Sequence, residues 1–288
     1  MERYRKILVA VDGSESAQNA FRQACRIVHH DKSWITAITV IPPYQDQFQT
    51  LNIREKVSRA LKDEGDRILA DIQEIAKEED VYVKFRLEEG SPVDCILDIA
   101  EENHFDLVVT GRRGLSRTAE ALIGTVTGRI IGHSTCDVLV VPRGTTVTWG
   151  TLLVPTDGSR YSTGSTGKAI DLAKGYGAEL KIISIVDVTD EFQAQAPDAV
   201  ESLVNQARQH VEDVSRRARE QGLQADTFVR EGESYKVITT MAKKQNADMI
   251  IMGSHGRTGV KRLFMGSVTE KVIGHAPCPV LVVKAYEP

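Results

Sequence analysis

Two segments of this chain carry glycines and a hydroxyl residue in the same spacing. Gly111-Arg112-Arg113-Gly114 is followed by nine residues and then Gly124-Thr125, and Gly253-Ser254-His255-Gly256 by nine residues and then Gly266-Ser267. Paired glycines permit a tight turn and close approach of backbone to a ligand. A Gly-Thr or Gly-Ser pair opening a helix sets unpaired N–H groups, the helix dipole and one hydroxyl where an anion such as phosphate would sit. In a single copy, glycines that punctuate a loop and a hydroxyl residue that caps a helix would read the same way. Recurrence at equivalent places in two halves favours a ligand loop. Asp12 and Asp157 close the first strand of each half and face the same crevice, in Asp12-Gly13-Ser14 and Asp157-Gly158-Ser159. That triplet also suits an N-cap turn, with Ser14 or Glu15 in the capping role.

The elements that must position these residues occur twice. Ile7-Leu8-Val9-Ala10-Val11-Asp12-Gly13-Ser14 returns as Leu152-Leu153-Val154-Pro155-Thr156-Asp157-Gly158-Ser159, 145 residues on, and His133–Val141 returns as His275–Val283, 142 residues on. A loop deletion of three residues accounts for the change of offset. Repeats of this length are domains rather than solenoid units, so the expected division is 1–143 and 148–288, with a short linker near Gly144 to Val147. In the first half, Val- and Ile-rich runs at 6–11, 34–41, 81–87, 106–110 and 137–142 read as strands buried on both faces. Helical periodicity falls at 15–29, 51–79, 91–103 and 124–133, with counterparts at 160–175, around 200–218, 233–245 and 266–275. The alternation predicts an α/β fold: two tandem, doubly wound parallel sheets with helices on both faces. Ligands of such sheets bind outside the strand carboxyl ends, where strand order reverses.

Composition narrows the function. The net charge of −4 falls wholly in residues 1–143, the second half being neutral, so neither half has the basic excess of a nucleic-acid binder. No apolar run approaches the roughly 20 residues that span a bilayer, and Met1–Lys6 does not read as a leader. Cys25, Cys95, Cys136 and Cys278 show no CxxC spacing, which suits reduced thiols and a cytoplasmic location. There is neither GxxxxGK[ST] nor a GxGxxG after the first strand, which argues against a P-loop NTPase and a dinucleotide site. His133 with Cys136 and His275 with Cys278 supply two ligands each where zinc takes four, so a structural role is expected. His29-His30-Asp31 reads as a helix end, whereas His255, inside the second loop, is the histidine placed to touch a ligand. No Ser/His/Asp spacing nominates a nucleophile with its base, and no catalytic residue is named.

The first-strand motifs LVAVDGS and LVPTDGS, the two glycine loops and the closing run from Gly266 to Val283 together resemble a tandem-domain universal stress protein, over essentially the whole chain. The resemblance implies five-stranded parallel sheets of order 3-2-1-4-5 and, through the glycine pattern, the ATP-binding branch of that family. It implies that Asp12 and Val40 hold the nucleoside in the first half and Asp157 and Ile185 in the second, with Val40 and Ile185 acting through backbone groups. Gly111, Gly114, Gly124 and Thr125, and likewise Gly253, Gly256, Gly266 and Ser267, would cradle ribose and phosphates, and Val126 and Val268 would add backbone N–H groups. Mg²⁺ bridging the phosphates fits this picture, since it takes few protein ligands there. The last strand mediates dimer contact in the family, which implies pairing of the two domains and a possible homodimer.

The expected function is an ATP-binding stress-response regulator with no nucleic-acid or membrane partner. A slow ATPase or nucleotide hydrolase, a sensor of a cyclic or dinucleotide adenine ligand, and an interaction protein with vestigial sites remain the alternatives. The halves differ in charge: Arg112-Arg113 stands against Ser254-His255, and Ala119-Glu120 against Lys261-Arg262. If one site alone is filled, the second is favoured, because its loop follows the family pattern more closely.

Overall fold

The computed structural model describes residues 4–43, 51–115, 122–256 and 265–284. Positions 119, 120, 261 and 262, where the halves differ in charge, lie outside the described residues. The chain divides into two compact units, Tyr4–Gly144 and Thr145–Pro288.

In the first unit, β1 (Lys6–Ala10), α1 (Glu15–Asp31), β2 (Trp34–Ile41), α2 (Leu51–Glu78), β3 (Val83–Glu89), α3 (Pro92–Glu102), β4 (Leu107–Gly111), α4 (Thr125–His133) and β5 (Asp137–Val141) follow one another. The strands lie in the order β3-β2-β1-β4-β5, and every pairing is parallel. Strand order therefore reverses between β1 and β4. Right-handed crossovers that run outward to β3 and then back across to β5 must use opposite faces. Accordingly α1 packs on α2 and α3 on α4. Helices cover both faces, so Ile7, Leu8 and Val9 of β1 are fully buried and β4 and β5 have no exposed residue.

The second unit repeats the plan with β6 (Thr151–Pro155), α5 (Arg160–Tyr176), β7 (Glu179–Val186), α6 (Asp190–Gln195), α7 (Pro197–Glu220), β8 (Ala225–Glu231), α8 (Ser234–Lys244), β9 (Met249–Gly253), α9 (Ser267–His275) and β10 (Val280–Val283). Its order is β8-β7-β6-β9-β10, again all parallel.

Beyond shifts of one or two residues at element ends, the periodicity differs from the structure at the third strand and ahead of α7. The third strand runs to Glu89 and starts at Val83, because Val81 N–H donates to Ala76 O and is still closing α2. The short helix α6 has no periodic signal; it is nucleated by Thr189, whose Oγ1 accepts from Phe192 N–H at 3.2 Å.

Candidate functional site

At the carboxyl ends of β1 and β4 lies a cavity of about 500 Å³. Its wall contains Asp12, Val40, Gly111, Gly114, Gly124, Thr125 and Val126, which are all seven of the residues singled out in the first half. Residues that spacing alone did not single out complete it: Ala10, Ile38, Pro42, Pro92 and Ile96 form an apolar side, and Ser14, Thr110, Arg113 and Thr127 add polar groups. The apolar members come from strand ends and from α3. Their equivalents could have been found only from the register of β1, β2 and β4, which repeat spacing does not carry.

The loop after β4 is built to lie close to its neighbours. A Cβ on Gly111 would come within 2.8 Å of the Ser16 backbone in α1, and a Cβ on Gly114 would collide with Asp12 Oδ2. A side chain at Gly111 would force the loop away from α1, and one at Gly114 would displace the Asp12 carboxylate. Asp12 holds both walls together. Its Oδ1 accepts from Ser14 N–H at 3.1 Å and its Oδ2 from Leu115 N–H at 3.0 Å. The carboxylate still has lone pairs free for a further donor.

Helix α4 begins at this loop. Gly124 is its N-cap, and no side chain caps it. Thr125 is therefore the first helical residue rather than the cap, which settles the capping alternative for that hydroxyl. Gly124 N–H donates to Arg112 O at 2.9 Å, and Thr127 Oγ1 donates to Gly111 O at 3.0 Å, so the helix start is fastened to the glycine loop from both sides. Gly114, Gly124, Thr125 and Val126 line the cavity together, so the helix start, which carries unpaired N–H groups and the positive end of the dipole, borders it. Arg113 lines the same end. Arg112, by contrast, is half-buried; burial, reinforced by the charge of Arg113, lowers its pKa from the ordinary arginine value.

In the second unit the same contacts recur. Ser159 N–H donates to Asp157 Oδ1 at 3.0 Å, Gly266 N–H to Ser254 O at 2.9 Å, and Thr269 Oγ1 to Gly253 O at 3.0 Å. Gly266 is the N-cap of α9 without a side-chain cap, and Ser267 and Val268 open the helix. A Cβ on Gly253 would stand 2.8 Å from Tyr161 O, and one on Gly256 2.9 Å from Asp157 Oδ2. Ile185 takes the penultimate place in β7, as Val40 does in β2. His255 Nδ1 lies 3.1 Å from Ser254 Oγ, and its ring rests against Tyr161 at 5.2 Å, with the Arg160 guanidinium 4.8 Å from the Tyr161 ring.

The histidine–cysteine pairs are engaged locally. His275 Nδ1 is 2.8 Å from Lys271 O, and Ser134 Oγ donates to Cys136 O at 2.8 Å. Among the described residues no group of three His, Cys, Asp or Glu could hold a metal. No described helix is long and apolar enough to cross a membrane.

Comparison with known proteins adds a family. The model of the universal stress protein family matches residues 3–142 and again 148–284. A universal stress protein of Methanocaldococcus jannaschii is 38% identical over 137 residues, covering 46% of this chain and 81% of that protein. One of Mycobacterium tuberculosis is 29% identical over 244 residues, covering 77% of this chain and 78% of that protein. The crystal structure of a universal stress protein from Archaeoglobus fulgidus shares the fold over 98% of this chain and 97% of its own, with a TM-score of 0.75 at 20% identity.

Proposed function

The chain belongs to the universal stress protein family, and from that premise we propose that it is an adenine-nucleotide-binding regulatory protein whose preferred ligand is ATP. The observation that carries this reading is the two-ended cavity of the first unit. Val40, Ile38, Pro42 and Ile96 offer an apolar slot of the kind a purine fills. The opposite end offers glycine backbone and an uncapped helix start, which suit phosphates. The volume of about 500 Å³ is in the range of small-molecule sites. The matching hydrogen bonds around Asp157, Gly253, Gly256 and Gly266 support a second site in the other unit.

Binding is favoured over hydrolysis by the composition of the wall, whose described residues include Asp12 as the carboxylate and no histidine or second carboxylate beside it; Asp12 is tied by Ser14 N–H and Leu115 N–H into the two walls. Asp12 would orient the nucleoside, and Gly114, Thr125 and Val126 would receive the phosphates. Mg²⁺, if carried, would be held chiefly by the phosphates and water, since the wall supplies one carboxylate.

The test is direct. Nucleotide released from the denatured protein is identified by mass, and ATP is titrated calorimetrically into stripped protein, Gly124→Val and Gly266→Val. Saturable ATP uptake that each variant halves supports the reading. No uptake of ATP, AMP or cyclic AMP by the wild type refutes it. Turnover at rates usual for enzymes, above about 1 per second, would replace a binder by a hydrolase.

A further inference from the structure

The floors of the two sites differ in one hydroxyl. In the first unit Ala10 pairs with Ile38, and Val9 with Val109, so Ile38, Ala10 and Thr110 form one row across β2, β1 and β4. All three line the cavity. In the second unit Pro155 pairs with Ile183, and Met252 stands at the repeat position of Thr110. That row is apolar throughout.

The direction of Thr110 follows from its neighbour. Gly111 faces α1, where a Cβ would meet Ser16. Alternation along the strand turns Thr110 to the other face, on the side of Ile96 and Thr127, which also line the cavity. Thr110 is only 3% exposed. Among the described residues its Oγ1 is the one buried side-chain polar atom that has no hydrogen-bond partner. The hydroxyls around it are satisfied: Thr127 Oγ1 donates to Gly111 O at 3.0 Å and Thr39 Oγ1 to Val11 O at 2.7 Å. Buried polar groups are bonded in the great majority of cases. Here the exception falls on the floor of the ligand cavity.

We propose that Thr110 is a specificity-determining contact, its hydroxyl hydrogen-bonding the nucleotide bound in the first unit, and that Met252 denies the second unit this contact so that the two sites bind the same nucleotide unequally. The inference rests on the adenine-nucleotide reading above. A threonine hydroxyl can donate or accept, so it can meet either a ring nitrogen or a sugar hydroxyl.

The experiment uses the full chain carrying Gly266→Val, which leaves the first site to be measured, and titrates ATP into this parent and into its Thr110→Val and Thr110→Ser derivatives. Thr110→Val weakens ATP binding about 3- to 10-fold, the range of one hydrogen bond. Thr110→Ser keeps the affinity within about twofold, because the hydroxyl is retained. The thermal midpoint of ligand-free Thr110→Val equals or exceeds that of the parent, since a methyl of the same shape replaces an unbonded hydroxyl. Unchanged ATP affinity in Thr110→Val overturns the inference, and does so whether or not the midpoint falls. If the parent binds no ATP, the first unit has no such site and the adenine-nucleotide reading of that unit falls as well. If the parent binds and Thr110→Val matches it, the Thr110 contact alone falls.

Discussion

In the first unit the turn after β1 is tied by Ser14 N–H to Asp12 Oδ1 at 3.1 Å, and in the second by Ser159 N–H to Asp157 Oδ1 at 3.0 Å. The helix starts are fastened alike, by Thr127 and by Thr269, each at 3.0 Å. The side chains around these frames have parted. Thr110 and Ala10 on the cavity floor of the first unit correspond in the repeat to Met252 and Pro155, and Arg113 to His255. Glu15, which pairs with Arg143, stands where Arg160 lies beside Tyr161. The glycine-loop end is made largely of backbone, and a Cβ at Gly111 or Gly253 would meet the backbone of the neighbouring helix. The floor and rim are made of side chains and can change without disturbing the frame. The pair of units therefore separates a common capacity from individual preference.

The largest effect that tests this comparison is steric. Gly114→Val brings a side chain into Asp12 Oδ2, and Gly256→Val brings one to the Asp157 carboxylate, where even a Cβ stands 2.9 Å away. Each should weaken nucleotide binding in its own unit by roughly 100-fold or more while the other unit's isotherm is retained, as read by calorimetry. Loss of both isotherms from one substitution would show that the frames are not independent.

Exchanging the floors comes next. Met252→Thr removes buried apolar volume and adds a hydroxyl to an apolar row, and should lower the unfolding free energy by about 1–3 kcal/mol in urea. The same substitution should leave the first unit's ATP affinity unchanged. A neutral result would mean that the second floor already offers a hydrogen-bond partner.

Smaller and equal in both units is the cap. Ser14 Oγ accepts from Ala17 N–H at 3.2 Å and Ser159 Oγ from Ser162 N–H at 3.3 Å. Ser14→Ala and Ser159→Ala should each cost about 1 kcal/mol in urea titrations. Unequal costs would break the claim of a common frame.

A further effect, seen only at alkaline pH, concerns the thiols. Burial pushes Cys25 and Cys278, one in each unit, up to about 12. An unfolded thiol ionises near about 8.5, so each buried thiol's contribution to stability is intact below that pH and is lost progressively as the pH rises toward 12, because the unfolded chain releases its proton first. Urea midpoints should therefore decline above about pH 9, and both cysteines should resist a thiol reagent at pH 8 until the chain unfolds.

Much of the fold was legible because its signals are local or repeated. The Val- and Ile-rich runs marked the strands, and the spacing of apolar residues from Val200 to Ala218 marked α7. Helix α6 was missed because a six-residue helix has too few turns to show a period. The seven residues singled out in the first half all line one cavity, since glycine spacing reports a backbone requirement directly. Ile38, Pro42, Pro92 and Ile96 were not legible as a slot, because each is an ordinary apolar residue until the strands are laid side by side.

Sequence by itself determined the duplication, the parallel α/β plan, the two glycine loops and the absence of a P-loop, because each of these is written in the order and spacing of residue types. It also held the Thr110 and Met252 difference in plain view, but without weight. Only the tertiary structure decided that Thr110 sits on a cavity floor with its hydroxyl unbonded, that Asp12 accepts a backbone N–H at each of its oxygens, and that Gly124 rather than Thr125 is the N-cap of α4. Those facts depend on the register of β4 against β1 and on which atoms come within hydrogen-bond reach. Such proximity joins residues about 100 positions apart in the chain, as Asp12 and Leu115 are, and no local pattern encodes it.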